Sequence, residues 1–278
     1  DEWWNCYYGV SAAQVKGTGN TKIELDGQNV LDSDVLSSTT TSVLWAGLNK
    51  KVGGNLTITD ETSDTGETIT AKDETDTSGS LRAEGGDVGR AAAIGGNSGQ
   101  ATDNITIEGY ATVKANTLGH NGGGNGAKGS NITIQGHANV TANGGWSGAG
   151  IGGGSQGNDG GGDAENIIIQ DYAKVTATAY DGAAIGSGSA QYSVWGDQEK
   201  SGVAKNIVIR GHAIVNAKND GSGAAIGAAG DGKDASAEVT IGTEGATAAT
   251  EDVRITAIGH YGSAIGNGAK DTKVTIQG

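Results

Sequence analysis

The sequence contains no proline, no methionine and no phenylalanine, and only 4% of its residues are aromatic. A conventional globular core takes much of its buried area from Phe, Met and Leu, so that kind of core is excluded. Ile, Val and Ala must fill the interior, which suits a narrow space packed with small and branched side chains. There is no run of about 18 or more apolar residues, which excludes a membrane-spanning helix. Positive charge is also scarce. Against 18 Lys and Arg stand 32 Asp and Glu, a net charge of −14 and a pI near 4.6. Such a surface repels nucleic acid phosphates and anionic lipid, and neither is an expected partner. It is compatible with solubility, with divalent cations and with a cell-surface location.

Cysteine is represented once, by Cys6. In a secreted chain an unpaired cysteine points to an interchain disulfide or a free thiol, and in a reducing compartment it needs no explanation. Its setting, "WWNCYY", is aromatic and terminal. No basic segment followed by an apolar stretch opens the chain, so for an extracellular protein the expectation is a mature form without its leader.

What the chain has in quantity is glycine, 52 residues of it, and a repeat. One unit reads Asn-Ile-x-Ile-x-Gly-[Tyr/His]-Ala-x-Val-x-Ala, then a loop, then Ala-[Ala/Gly]-Ile-Gly, then a second loop. The first segment recurs at Asn55, Asn104, Asn131, Asn166 and Asn206, in weaker form at Glu238 and Lys273, and as "KIELDG" from Lys22. The last recurs as "AAIGG" from Ala92, "GAGIGGG" from Gly148, "GAAIGSG" from Gly182, "GAAIGAAG" from Gly223 and "GSAIGNG" from Gly262. Apolar residues alternate with period two inside each segment, the strand signal. Ile132, Ile134, Ala138, Val140 and Ala142 are expected to face inward, and Thr133, Gln135, Asn139 and Thr141 outward. One such unit cannot bury its apolar face, but stacked copies can. The pattern predicts an all-β, single-stranded parallel β-solenoid. It would be a right-handed β-helix by the handedness of parallel crossovers, with about seven coils, three short strands per coil and roughly 36 residues per coil. Residues 1–20 are expected to form an N-terminal aromatic cap or arm, and residues 21–278 the solenoid.

Stacking turns repeat positions into columns. Asn55, Asn104, Asn131, Asn166 and Asn206 are expected to form a ladder of hydrogen-bonded amides. Tyr110, His137, Tyr172 and His212 are expected to form a column of stacked rings at the next corner. The glycines of "AIGxG" permit the positive φ that tight corners need.

"GAGIGGG" together with "NITIQG…VTA" resembles the glycine-rich β-helix repeats of surface and adhesin-like proteins of anaerobic bacteria and methanogenic archaea. The resemblance covers roughly residues 91–278 and is specific for architecture. It carries over no catalytic residue, and it implies a cell-surface or extracellular protein, extending to a sheath or filament subunit if the chain self-assembles.

Self-assembly is suggested by three groups of residues. The sequence closes on "TKVTIQG", a first strand without the rest of its unit, whose Val274 and Ile276 would stack on another subunit unless loops cover them. Trp3, Trp4, Tyr7 and Tyr8 concentrate aromatic area near the start, either capping the first rung or forming an arm that inserts into a neighbour, locked by Cys6. Ile168 and Val208 place apolar residues at one outward position in successive coils, a lateral contact patch.

Signals for chemistry are sparse. The acidic runs from Asp60 to Glu67 and from Asp73 to Gly79 do not put two carboxylates at matched rungs beside a basic residue, and they read as solvated loops. There is no Gly-x-Ser-x-Gly, no His-Glu-x-x-His and no cysteine-rich zinc pattern. "GGGNGAKGS" runs into a strand rather than a helix, unlike a phosphate loop. Calcium is the cofactor candidate, with Asp159 and Asp163 in one Gly-Asp loop and Asp231 and Asp234 in another as ligands; otherwise no cofactor is expected. Asn-x-Thr sequons coincide largely with the ladder asparagines. The function expected is an extracellular structural protein with no enzymatic activity, partnering itself head-to-tail or laterally as a layer, sheath, filament or adhesin stalk. The alternative is a protein that binds or degrades carbohydrate, with Trp146, Tyr180, Tyr192 and Trp195 as sugar platforms on a cell-surface glycan.

Overall fold

The computed structural model describes residues 11–33, 45–64, 69–73, 79–85, 91–97, 99–115, 118–119, 127–156, 160–189, 201–230, 234–247, 249–266 and 272–278. Among them there is no helix. The strands form three large sheets, which the chain visits in cyclic order. Sheet 1 holds Ala13–Val15, Leu48–Lys50 and then the two-residue strands beginning at Ile94, Leu118, Ile151, Ile185, Ile226 and Ile265. Sheet 2 holds Thr21–Glu24, Leu56–Thr59, Thr102–Ile107, Gly129–Ile134, Ala164–Ile169, Ala204–Ile209, Ala237–Ile241 and Lys273–Ile276. Sheet 3 holds Gln28–Asp32, Ser80–Glu84, Thr112–Ala115, Asn139–Asn143, Lys174–Ala179, Ile214–Asn219 and Arg254–Gly259. Each strand pairs in parallel with the strand one circuit on. That makes seven full circuits and two further strands, in agreement with the repeat count. The first begins at Ala13, inside the segment assigned from sequence to an N-terminal cap. Two short antiparallel hairpins, Thr62–Asp64 with Ile69–Ala71 and Ser155–Gln156 with Gly160–Gly161, leave the stack at loops.

Register follows the apolar alternation. Ile105, Ile132, Ile167, Ile207 and Val239 occupy one column of sheet 2, with Ile107, Ile134, Ile169 and Ile209 two positions on. All nine are buried. On sheet 3, Leu81, Val113, Val140, Val175 and Val215 form one buried column and Ala83, Ala115, Ala142, Ala177 and Ala217 the next. Sheet 1 contributes Ile94, Ile151, Ile185 and Ile226. These side chains merge into one continuous core. Each fully buried Ile or Val is worth about 1.5–3 kcal/mol, which is how a chain without Phe or Met sustains an interior.

The sheet 1 corners show why the repeat ends in Ile-Gly. Gly152, Gly186 and Gly227 have φ of 132°, 142° and 137°. A Cβ there would lie 2.1, 1.8 and 2.0 Å from the carbonyl oxygen of the corresponding glycine in the next circuit. Backbones of neighbouring circuits approach too closely for any side chain.

Candidate functional site

The outward surface of circuits three to six is organised into three axial columns. In the first, Asn131 Nδ2 donates to Asn104 Oδ1 (2.9 Å), Asn166 Nδ2 to Asn131 Oδ1 (2.8 Å) and Asn206 Nδ2 to Asn166 Oδ1 (2.9 Å). These four residues have φ between 53° and 57°, a left-handed conformation that Asn tolerates better than any branched residue. Asn55 was expected in this ladder but is not a member. It is absent from the left-handed set, and its backbone amide donates instead to Asn20 Oδ1 (3.1 Å).

The second column is the ring stack. Tyr110, His137, Tyr172 and His212 follow one another at centroid separations of 4.9, 4.9 and 4.7 Å, with planes within 14° of parallel. The spacing is that of the strands beneath. The third column was not anticipated. Gln135 Nε2 donates to Glu108 Oε2 (2.6 Å), Gln170 Nε2 to Gln135 Oε1 (2.8 Å), and Arg210 to Gln170 Oε1 through Nε (2.9 Å) and Nη2 (2.6 Å). The signal was the residue two places before the recurring Tyr or His, which reads Glu, Gln, Gln, Arg in successive copies.

Ile168 and Val208 are neighbours in register on the outer face of sheet 2, in a column with Thr106, Thr133 and Thr240, and both are half-buried. Val274 and Ile276 pair with Val239 and Ile241 at interior-facing positions, yet are 39% and 74% exposed. Trp3, Trp4, Cys6, Tyr7 and Tyr8 lie outside the described residues. Of the sugar-platform candidates, Trp146 and Tyr180 stack with centroids 4.6 Å apart, while Tyr192 and Trp195 lie outside the described residues.

The calcium candidates are not brought together by what is described. Asp163 Oδ1 accepts the Val203 amide (2.8 Å), so this carboxylate ties two segments of the stack. Asp234 has interactions of its own, and Asp159 and Asp231 lie outside the described residues. Among the described residues no group of three His, Cys, Asp or Glu side chains forms a metal-sized cluster.

Several charged groups are used structurally. Asp60 and Lys72 are wholly buried, with Lys72 Nζ 2.5 Å from Asp60 Oδ1. The approach lacks hydrogen-bond alignment, so this oxygen is held by charge. Asp60 Oδ2 accepts the Gly79 amide (3.0 Å). The pair binds the base of the hairpin at residues 62–71 to the strand Leu56–Thr59. Lys50, also buried, reaches the Gly53 carbonyl (2.5 Å) and Asp103 Oδ1 (3.4 Å). Glu24 is pushed up by burial. The Glu61 and Thr62 amides (2.7 and 2.8 Å), the Thr62 hydroxyl and nearby Lys22 outweigh that and hold its carboxyl below the usual range. Lys128 hydrogen-bonded to Glu165, and Arg254 to Asp252, likewise hold those carboxyls low.

An open groove of about 550 Å³ lies where the Glu–Gln–Arg column stops, with Asp171, Arg210, Thr243 and Glu251 in its lining. Asp171 Oδ2 accepts the Gly136 amide (3.1 Å), and Glu251 accepts the Gly211 and Thr243 amides (2.8 and 2.7 Å). Both carboxylates therefore serve the backbone of neighbouring segments.

No family model, curated protein or solved structure matches the chain.

Proposed function

We propose that the three parallel sheets form a right-handed β-solenoid, and that the protein is a structural element of the cell surface whose copies associate laterally or end to end. The observation that carries this reading is the use made of the outward side chains. In circuits three to six, three positions per circuit are spent on axial columns of amides, rings and Gln–Glu–Arg bonds rather than left for a ligand. Such columns add cohesion along a stack whose strands already pair backbone to backbone from circuit to circuit, which suits resistance to force and to chemical attack. Handedness follows from the parallel crossovers from sheet to sheet. Ile168 and Val208 supply an apolar strip for lateral contact.

Electron microscopy and sedimentation of the purified protein test the reading. Ordered sheets, tubes or filaments are expected, and they should weaken with Ile168→Thr plus Val208→Thr. A protein that stays monomeric at high concentration would overturn the assembly reading.

A further inference from the structure

Two lysines of the described residues are buried, and they differ in what meets the nitrogen. Lys50 Nζ is taken up by the main-chain carbonyls of Lys51 and Gly53, with Asp103 Oδ1 3.4 Å away. Lys72 Nζ faces a carboxylate instead, 2.5 Å from Asp60 Oδ1, and both of these side chains are 0% exposed. A charge-assisted N–H···O bond usually spans about 2.7–2.9 Å with the N–H aimed at the oxygen. This contact is closer and is not so aligned. Because Cγ lies one C–O bond from Oδ1, Nζ is at most about 3.7 Å from Cγ. Reacting atoms poised for attack stand about 3–3.5 Å apart. The surroundings hold both partners in place. Asp60 Oδ2 accepts the Gly79 amide (3.0 Å), and a Cβ at residue 79 would run into the carboxyl group, so only glycine can close over it. The Lys72 amide donates to the Glu61 carbonyl (2.8 Å), which ties the lysine backbone to the segment carrying Asp60.

We propose that Lys72 and Asp60 condense to an intramolecular amide, an isopeptide bond between their side chains. The ion pair is the reactant. Nζ passes one proton to Oδ1 across the contact, exchanging two buried charges for a neutral amine and a carboxylic acid. The amine lone pair attacks Cγ, and the Gly79 N–H stabilises the negative charge that develops on Oδ2. A second proton moves from Nζ to Oδ1, the Cγ–Oδ1 bond breaks and one water leaves. Oδ2 remains as the amide carbonyl oxygen, still accepting from Gly79, and the step needs no oxidant, reductant or further reagent. Amines and carboxylates do not condense in dilute solution, but fixing the two groups in one site supplies an effective concentration of up to about 10⁵–10⁸ M. The product closes residues 60–72 into a covalent ring and ties the hairpin of Thr62–Asp64 and Ile69–Ala71 to the strand Leu56–Thr59. With Cys6 alone, no disulfide can join two of the 278 residues, and this bond takes that part. The step is independent of whether copies assemble.

Mass spectrometry of the full chain tests the proposal. The folded protein is held overnight at neutral pH, then denatured and digested with trypsin. An acylated lysine is not cut, so the span from Val52 to Arg82 should be recovered as one peptide, lighter than its sequence by one water. Fragmentation of that peptide should give no ions from single breaks between Asp60 and Lys72. Lys72→Arg keeps the cation but offers no amine able to condense, and Asp60→Ala removes the carboxyl. Both variants should be cut after residue 72 and should carry their full mass. The proposal is overturned if the parent yields separate peptides Val52–Lys72 and Asp73–Arg82 at full mass. It is equally overturned if the loss of water persists in Lys72→Arg or Asp60→Ala, since the dehydration would then lie elsewhere.

Discussion

Replacing Asn166 separates two contributions that coincide at one residue. Its amide donates to Asn131 and accepts from Asn206, and its backbone sits at φ 57°. The ladder bonds are exposed, so each belongs at the low end of the usual range, about 0.5–1 kcal/mol. Asn166→Gly removes both bonds and keeps the left-handed backbone at ease, for a loss of about 1–2 kcal/mol. Asn166→Ala removes the same bonds and forces a Cβ-bearing residue into that conformation, adding about 1–2 kcal/mol. Glycine also gains freedom in the unfolded chain, which narrows the gap. Alanine should still be worse by about 1 kcal/mol. A stack of circuits interacts mainly with its nearest neighbours, so a global melting temperature would dilute the effect. Hydrogen exchange measured on peptides from Gly129–Ile134, Ala164–Ile169 and Ala204–Ile209 localises it. Protection should fall in these three strands, more for alanine than for glycine. Equal loss in the two variants, or a larger loss for glycine, would refute the argument that backbone conformation selects Asn here.

Other perturbations have equally definite outcomes. Gly186→Ala puts a Cβ 1.8 Å from Gly227 O at φ 142°; it should cost at least about 3 kcal/mol in urea unfolding, whereas Gly19→Ala, with open space around it, should be near neutral. Lys72→Met leaves the buried Asp60 carboxylate without its cation and should destabilise by about 3–5 kcal/mol, read as faster proteolysis of the hairpin it anchors. Glu24 has a folded-state pKa below its unfolded value, so its contribution is present above the ordinary glutamate pKa and is lost as pH falls through the folded value. Glu24→Gln should therefore exchange faster than the parent at Glu61 and Thr62 at neutral pH, with the difference vanishing well below about pH 4.

Much of this structure was legible because period two and a repeat of a few tens of residues constrain the same residues twice. "NITIQGHANVTA" gives the inward Ile132, Ile134 and Val140 from alternation, and the columns of Asn131 and His137 from recurrence; both hold. Legibility fails where one of the two signals is missing. Ser80–Glu84 and Gln28–Asp32 lie in sheet 3, but "SLRAE" and "QNVLD" share too little with "ATVKA" to register as copies. The Asp60–Lys72 pair joins residues within a long corner excursion whose sequence recurs in no other circuit, so no column announced it. Asn55 misled for the opposite reason: recurrence of the letter is visible, but the backbone conformation that makes the letter useful is not.

The three columns also share a direction. All begin in the circuit of Asn104, Glu108 and Tyr110, all end in that of Asn206, Arg210 and His212, and in both polar columns each donor reaches back toward the preceding circuit. A glutamine column could run either way, since each amide has a donor and an acceptor end. Its termini remove the choice. Glu108 can only accept while ionised and meets the donor end, and Arg210 can only donate and meets the acceptor end. A carboxylate and a guanidinium thus stand at the positive and negative poles of a row of aligned amide dipoles, the arrangement that stabilises helix ends. In the next circuit a long connection from Gly242 to Glu251 replaces the Gly-[Tyr/His] corner, and Glu251 takes the Gly211 amide. Four circuits are therefore bound as one polarised block, which neither a tally of hydrogen bonds nor a single repeat would disclose.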